Sequence, residues 1–372
     1  MQYKPFGTTG INLSAFGFGG AKFRNGQSNQ ENAERVLYAI ERGINHFDSC
    51  PGYSNSEEIF GLAAKQAKRG ELYVSTKNQP AFFESKRQSL EEIEQSLEAT
   101  GLDYFDFYYL WNVKRYSEYE SAISADNQYE ALLEAKAQGL VRHICLSSHL
   151  DATDARRIVD DGRIEGLLLN LNILNFPYAI DAAVYAKHRG LGVGIMSPLY
   201  GGQIPSNEDK LSFLNLHGLS PTDEALAFAA GLWCADYAYV GFGSNEEVDR
   251  ACAVADQGMM VGEDKLGQLR EVIGSGLDKA CCGCGYCTAH CPVNMPIAEY
   301  MLYYNYKHVF GMTREDFERK LGVHKQWFML AKRKADAGDC TGCGACTRAC
   351  TQHIDVMARL AELAEIEGRL GI

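Results

Sequence analysis

No uninterrupted apolar run in the chain approaches the ~20 residues of a membrane span, and no basic-then-apolar leader precedes Tyr3. A spanning helix is therefore not expected, and the expected compartment is the cytoplasm. Positive charge is in short supply: 36 Lys and Arg stand against 48 Asp and Glu, a formal charge of −12. A nucleic-acid binder needs a basic face that releases counterions, so that class is set aside. Cysteine is sparse over the first 280 residues, where only Cys50, Cys145, Cys234 and Cys252 occur. A secreted disulfide scaffold would instead spread its cysteines along a short chain. What the sequence does have is 20 Tyr, 17 Phe and 3 Trp, too many aromatics for a disordered chain. It also has nine more cysteines crowded between Cys281 and Cys350. With 372 residues, the chain should form one large domain and a smaller one, with metal in the second.

Through the first part, β-rich runs alternate with helical patterns. After a turn at Gly7-Thr8-Thr9-Gly10, strands are expected over residues 13–19, 44–48, 72–77, 103–110, 141–147, 166–170, 192–196 and 237–241. Helices are expected between them, for instance over 30–42, 56–68 and 85–100. Eight strands alternating with helices imply a parallel sheet, and eight such units in about 260 residues predict an α/β fold, a (β/α)8 TIM barrel. Gly17-Phe18-Gly19-Gly20 lacks the third glycine of a dinucleotide fingerprint, so a doubly wound sheet is not expected.

Barrels of this kind carry their chemistry at the C-terminal ends of the strands. The polar residues there are Asp48, Tyr53 in the following loop, Lys77, Ser147, Ser148 and Asn170. A buried Lys facing an Asp keeps its charge, and the pair is expected to pull Tyr53 below its usual pKa of about 10. Such a Tyr can give a proton to a carbonyl oxygen that receives hydride. The plainer alternative is an ordinary salt bridge beside a surface Tyr. Cys50 and Cys145 read as buried thiols, and His149 as a loop histidine or a ligand contact. The stretch 112–127 is long for a βα loop and suits a covering flap or a docking surface.

Phe47-Asp48-Ser49-Cys50-Pro51-Gly52-Tyr53, with Ser56-Glu57-Glu58 and Gly61, resembles the aldo/keto reductase signature around a catalytic Asp and Tyr. Val74-Ser75-Thr76-Lys77 resembles the strand of that family's catalytic Lys. The resemblance, over about residues 1–265, implies NAD(P)(H) as cofactor and a small-molecule substrate. It implies that Ser147, Ser148 and Asn170 meet the nicotinamide amide, Asn170 standing where a Gln is conventional. It also implies that Ser197-Pro198-Leu199 covers the pyrophosphate, and that Gly241, Gly243, Ser244 and Glu247 lie at the adenosine end. Three positions depart from the family. Trp111 replaces the catalytic His, and an indole N–H cannot exchange a proton near neutral pH. Met196 replaces a stacking aromatic ring. Glu247 stands where a phosphate-binding Arg often sits, with Ala251 at a usual Asn, which makes NAD, or a weakly bound or absent nucleotide, plausible.

Residues 281–292 contain C-x2-C-x2-C-x3-C-P, and residues 340–350 repeat the spacing without proline. This is the bacterial ferredoxin spacing, in which the fourth Cys of each run serves the other cluster. Two [4Fe–4S] clusters are expected, one on Cys281, Cys284, Cys287 and Cys350, the other on Cys340, Cys343, Cys346 and Cys291. Zinc would favour paired C-x2-C knuckles. Cys282 fits neither register. Between the runs, helices are expected over 296–309, 313–321 and 326–334, with Tyr300, Tyr303, Tyr304, Tyr306 and Phe310 forming a face that packs on the barrel. Residues 362–370 read as a closing amphipathic helix. The domains would then be a barrel over 1–265, a linker over 266–280 and a ferredoxin-like domain with a helical insert over 281–372. The combination resembles the aldo/keto reductase branch with a C-terminal ferredoxin-like domain.

Three functions fit these residues. The first is an NAD(P)-dependent oxidoreductase using Asp48, Tyr53, Lys77 and Trp111 on a carbonyl, alcohol or enone, its clusters structural or feeding a redox partner protein. The second is a ferredoxin-linked reductase with nicotinamide secondary or absent. The third is an electron carrier on a vestigial barrel. A nicotinamide moves two electrons and a cluster moves one, and the sequence carries no clear flavin signature to join them.

Overall fold

The chain opens with a hairpin, β1 (Tyr3–Pro5) against β2 (Asn12–Ser14), whose turn uses Gly7 and Gly10 at positive φ, a backbone conformation that residues with a Cβ rarely adopt. Eight strands follow: β3 (Phe16–Gly19), β4 (His46–Asp48), β5 (Tyr73–Asn78), β6 (Phe105–Val113), β7 (Val141–Ser148), β8 (Gly166–Asn170), β9 (Gly192–Met196) and β10 (Tyr237–Val240). Each pairs in parallel with the next, and β10 returns to β3, closing the barrel. This is a computed structural model, and it describes residues 1–23, 26–78, 85–150, 152–215, 217–277, 279–281, 283, 285–327, 329–332, 335–350 and 352–372.

The expected barrel is there, with differences at strand ends. The run 13–19 is divided between β2, which pairs in the hairpin, and β3, which enters the barrel. β6 does not stop at Leu110 but continues to Val113, with a register shift between those residues and Asn112 at φ 59. A bulge of this kind re-aims a side chain, and Trp111 lies inside it.

Helices α1 (Asn29–Glu41), α2 (Ser56–Ala64), α3 (Lys86–Thr100), α4 (Tyr116–Ala122), α5 (Gln128–Ala137), α6 (Ala152–Asp161), α7 (Phe176–His188), α8 (Pro221–Gly231) and α9 (Asn245–Asp256) alternate with the strands along the chain. Ser28 starts α1 with a capping box: its hydroxyl accepts from Glu31 N–H and the Glu31 carboxylate accepts from Ser28 N–H. Phe6, Leu13, Phe107, Tyr109, Cys145, Leu168, Tyr237 and Tyr239 form a buried cluster, with Cys145 in the core as expected. A Cβ on Gly17 would come within 2.2 Å of the His46 ring, and one on Gly20 within 2.8 Å of Phe60. Those glycines make room for rings, which is why they need not follow a nucleotide fingerprint.

Spatial proximity divides the chain into two units, Met1–Asn172 with Ala182–Leu199 and Ala225–Gly262, and Ile173–Asp181 with Tyr200–Glu224 and Glu263–Ile372. The second contains α10 (Glu263–Gly276), α11 (Tyr286–Ala289), α12 (Ile297–His308), α13 (Arg314–Gln326), α14 (Ala345–Ala349) and α15 (Val356–Leu370). Much of the segment read as a linker is thus helical. α13 runs further than expected, the 326–334 segment has only a short 3-10 turn at Met329–Lys332 among its described residues, and the closing helix begins at Val356. The tyrosines of α12 contribute to this unit's own core. Tyr300 donates to Glu367 (2.7 Å), Tyr304 to Glu362 (2.6 Å), and the Tyr303 ring lies 4.7 Å from that of Phe317. No helix among the described residues is long and apolar enough to cross a membrane.

Candidate active site and candidate metal centres

Asp48 ends β4, and Lys77 lies near the end of β5 on the same face as Ser75, two residues earlier. Lys77 Nζ donates to Asp48 Oδ2 at 2.5 Å and to the Ser49 carbonyl at 2.8 Å. Both side chains are buried, so neither charge could stay there without the other. The ammonium lies 4.7 Å from the centroid of the Tyr53 ring, which meets Trp111 edge-on at 5.9 Å. The four side chains expected to act together are neighbours.

Their electrostatics differ from the expectation in one respect. Burial pushes the Tyr53 hydroxyl up, to about 12; Lys77 pulls it down by charge and hydrogen bonding but does not overcome burial. Tyr53 therefore sits above its ordinary value, not below it. Burial pulls the Lys77 ammonium down, yet Asp48, with Tyr53 and Cys50, outweighs that and holds it above the ordinary lysine value. Cys50, buried as expected, is pushed up by burial to about 12 and stays a thiol.

Beneath the pair runs a set of hydroxyls that sequence reasoning missed. Ser75 Oγ donates to Asp48 Oδ1 at 2.9 Å and lies 3.3 Å from the Tyr239 hydroxyl, while the Tyr109 and Tyr237 hydroxyls are 2.6 Å apart. The signal for Ser75 was present in its period-two spacing from Lys77; that for the tyrosines required the barrel to close.

The residues expected at a dinucleotide lie at the C-terminal ends of β7 to β10. Ser147 Oγ donates to Met196 Sδ at 3.7 Å, and Ser148 Oγ accepts from Leu150 N–H at 2.9 Å. Asn170 ends β8, and Ser197, at φ 58, follows β9 two residues before Leu199, its carbonyl accepting from Asn172 at 3.3 Å. Gly241 and Gly243 follow β10, and Ser244 caps α9, accepting from Glu247 N–H at 3.4 Å. The Glu247 carboxylate accepts from Gly243 N–H at 2.6 Å. Hydroxyls and an amide at strand ends, with a helix N-terminus beyond, are groups a dinucleotide can use. His149 donates its backbone N–H to Val113. The stretch 112–127 holds α4, and Tyr119 is buried with its hydroxyl donating to Asp161 at 2.5 Å.

In the second unit the cysteines line two separate apolar pockets. Cys281, Cys287 and Cys350 share one with Met301 and Val356; Cys291, Cys340, Cys343 and Cys346 share the other with Met295 and Leu360. Cys284, and Cys282, lie outside the described residues. Cys291 and Cys350 each stand with the other run. No three His, Cys, Asp or Glu side chains among the described residues converge as they would on a single ion. Thiols spaced around an apolar cavity fit a multi-atom iron–sulfur cluster. Gly283, Gly285, Gly342 and Gly344, all at positive φ, bend the two runs alike. Asn305 on α12 clamps Cys281 at both backbone groups, accepting from its N–H (2.9 Å) and donating to its carbonyl (2.7 Å). Thr288 Oγ1 accepts from Ala298 N–H at 2.9 Å, tying the first run to the start of α12. No pattern in the sequence marked Asn305 for this.

Residues 15–275 match the aldo/keto reductase family, and residues 278–354 match the 4Fe-4S dicluster domain. The chain is 28% identical to an NADH-specific methylglyoxal reductase from Escherichia coli, over 54% of this chain and 68% of that protein. It is 26% identical to a glyoxal reductase from Bacillus subtilis, over 57% of this chain and 72% of that protein. Among solved structures, an aldo-keto reductase from Klebsiella pneumoniae in complex with NADPH superposes with a TM-score of 0.60 at 20% identity, covering 73% of this chain and 96% of that one. That likeness concerns the fold.

Proposed function

From the premise that the chain belongs to the aldo/keto reductase family and is an oxidoreductase with a 4Fe–4S domain, we propose that it transfers hydride between a nicotinamide and a small carbonyl, alcohol or enone. The observation that carries this reading is the buried Lys77–Asp48 pair beside the Tyr53 ring. A bound nicotinamide supplies or takes the hydride. In reduction, Tyr53 gives its proton to the substrate oxygen as that oxygen gains charge. Its high pKa keeps it protonated at neutral pH, and Lys77, held cationic by Asp48, stabilises the tyrosinate left behind. Trp111, in the place of the family's His, offers one N–H and narrows the space beside Tyr53, favouring a substrate whose reacting carbon lies deeper than a simple aldehyde's.

Ser147, Ser148, Asn170 and Met196 would hold the nicotinamide end, Ser197 and Leu199 the pyrophosphate, and Gly241, Gly243, Ser244 and Glu247 the adenosine. Glu247 fills the Gly243 N–H with its own negative charge, which supports NADH over NADPH, as does the relative named NADH-specific. Two [4Fe–4S] clusters would be held in crossed fashion, Cys281, Cys284, Cys287 and Cys350 on one, Cys340, Cys343, Cys346 and Cys291 on the other. Cys340 and Cys343 are exposed, which favours electron exchange with a redox partner protein over a purely structural role.

Anaerobically purified protein should contain about eight iron and eight sulfide per chain, four of each per cubane. It should bind NADH more tightly than NADPH by quenching of protein fluorescence. Zinc in place of iron would end the cluster reading, and no binding of either nucleotide would end the hydride-transfer reading.

A further inference from the structure

Arg359 lies on α15 one turn beyond Val356, which lines the cavity of Cys281, Cys287 and Cys350. The residue is 9% exposed. Its Nη2 donates to the Lys279 carbonyl at 2.9 Å, two residues ahead of Cys281, and its guanidinium carbon lies 4.7 Å from the centroid of the Tyr304 ring. Its Nη1 is buried without a hydrogen-bond partner. A buried donor on a charged group left that way costs about 1–3 kcal/mol or more, so folding should leave it idle only if something else satisfies it. Burial pulls this guanidinium below the ordinary arginine value, and the groups that oppose burial include Tyr304, Cys281 and Cys350. As neutral thiols those sulfurs are weak acceptors; as the thiolates of an iron–sulfur cluster they are anions.

We propose that Arg359 donates through Nη1 to a sulfur of the cluster held at Cys281, Cys287 and Cys350 and thereby raises that cluster's reduction potential. The inference rests on the cluster reading above. One-electron reduction adds a negative charge to the cluster, and a buried cation hydrogen-bonded to its sulfur stabilises the reduced form more than the oxidised one. Among the described residues the other cavity has no equivalent. Its neighbouring arginine, Arg348, is exposed, and the Nη1 of that residue is already donating to the Cys343 carbonyl at 3.3 Å. Water screens that charge. The two clusters should therefore differ, the one beside Arg359 being reduced first.

The test is a redox titration of the whole anaerobic protein with dithionite, followed by electron paramagnetic resonance, for the wild type, Arg359→Lys and Arg359→Gln. Arg359→Gln should shift one reduction step, the first, to lower potential by at least about tenfold in its equilibrium constant, ~59 mV for one electron, and leave the other in place. Arg359→Lys keeps the charge but not the fork of donors, and should shift that step by less. Iron and sulfide are counted in the same samples. Their absence from the wild type would overturn the cluster reading, whereas full content with both steps unmoved in Arg359→Gln would overturn the role of Arg359 alone. A measurement without any variant covers the case in which Arg359→Gln does not fold. Isotopically labelled arginine in the wild type should give a nitrogen coupling to the reduced cluster by pulsed resonance, and no such coupling would refute the contact.

Discussion

At Tyr53 burial and charge act in opposite directions, and the balance decides what the hydroxyl can do. Burial is the larger effect, so the group stays protonated until about 12, and Lys77 is the cation that opposes it. The reduction rate should consequently show no fall between pH 7 and 9 from this residue. A fall in that window, absent from Tyr53→Phe, would contradict the assignment. Tyr53→Phe keeps the ring beside Trp111 and removes the acid, and turnover should drop about 100- to 10,000-fold with iron content unchanged. Lys77→Met should do nearly as much, because it lets the Tyr53 pKa climb further and strips the tyrosinate of its counter-charge. Full activity in both variants, measured as steady-state NADH consumption, would place the chemistry elsewhere. Asp48 and Lys77 were legible because each sits near a strand end in a recognisable pattern, and Tyr53 because it stands in the loop that continues the pattern after Asp48. The sign of the Tyr53 shift was not, because it depends on how much protein surrounds the ring, and spacing carries no information about that.

At the scale of elements, the N-terminus of α9 shows how one side chain can occupy the donors of a helix start. A helix start with free N–H groups draws a phosphate, but here the Glu247 carboxylate takes the Gly243 N–H. Glu247→Ala should release that donor and remove a repelling charge, raising affinity for NADPH relative to NADH by about fivefold, what one exposed charge at a helix end contributes. Fluorescence titration with both nucleotides measures it, and an unchanged ratio would remove Glu247 from the adenosine end. The departure of Glu247 from the family pattern was visible in the sequence. Its hydrogen bond back to Gly243 required the turn between β10 and α9 to form. The bulge in β6 is similar: the aromatic run 103–110 announced a strand, but nothing announced that it would continue past Trp111 with Asn112 at positive φ.

At the scale of the whole molecule, a buried histidine and a half-buried glutamate contribute to its response to acid. His46 is enclosed completely: burial pulls its pKa down from 6.5 to about 3, against the small opposing effect of its hydrogen bond to the Ser14 carbonyl. A group whose folded pKa lies below its unfolded one takes up its proton first in the unfolded chain, so stability falls as pH drops from about 6.5 toward 3. Glu165 acts in the same direction over a lower window. Burial raises it, but hydrogen bonds from His143 and Lys136 and from the Ile144 N–H outweigh that and hold it at about 2, so its contribution is lost as pH falls from 4.5 toward 2. Urea midpoints should decline between pH 7 and 5, and the decline should be shallower in His46→Gln even if that variant is weaker throughout. Equal slopes would mean that His46 is not the group titrating.

Strand and helix periodicity, the order of the motifs around Asp48 and Lys77, and the repeated C-x2-C-x2-C-x3-C spacing were enough to determine a barrel of eight βα units and a cysteine-rich region. These are local patterns, written in neighbours along the chain, and backbone geometry translates them directly. The tertiary structure alone decided what depends on residues far apart in sequence. It made room at Gly17 for the His46 ring and brought Ser75 of β5 within reach of Tyr239 of β10. In the second unit it gathered the tyrosines of α12 into a core, closed Asn305 on Cys281 and left the Nη1 of Arg359 buried without a hydrogen-bond partner. Burial and long-range hydrogen bonds exist only once the chain has closed on itself, and with them come the shifted pKa values.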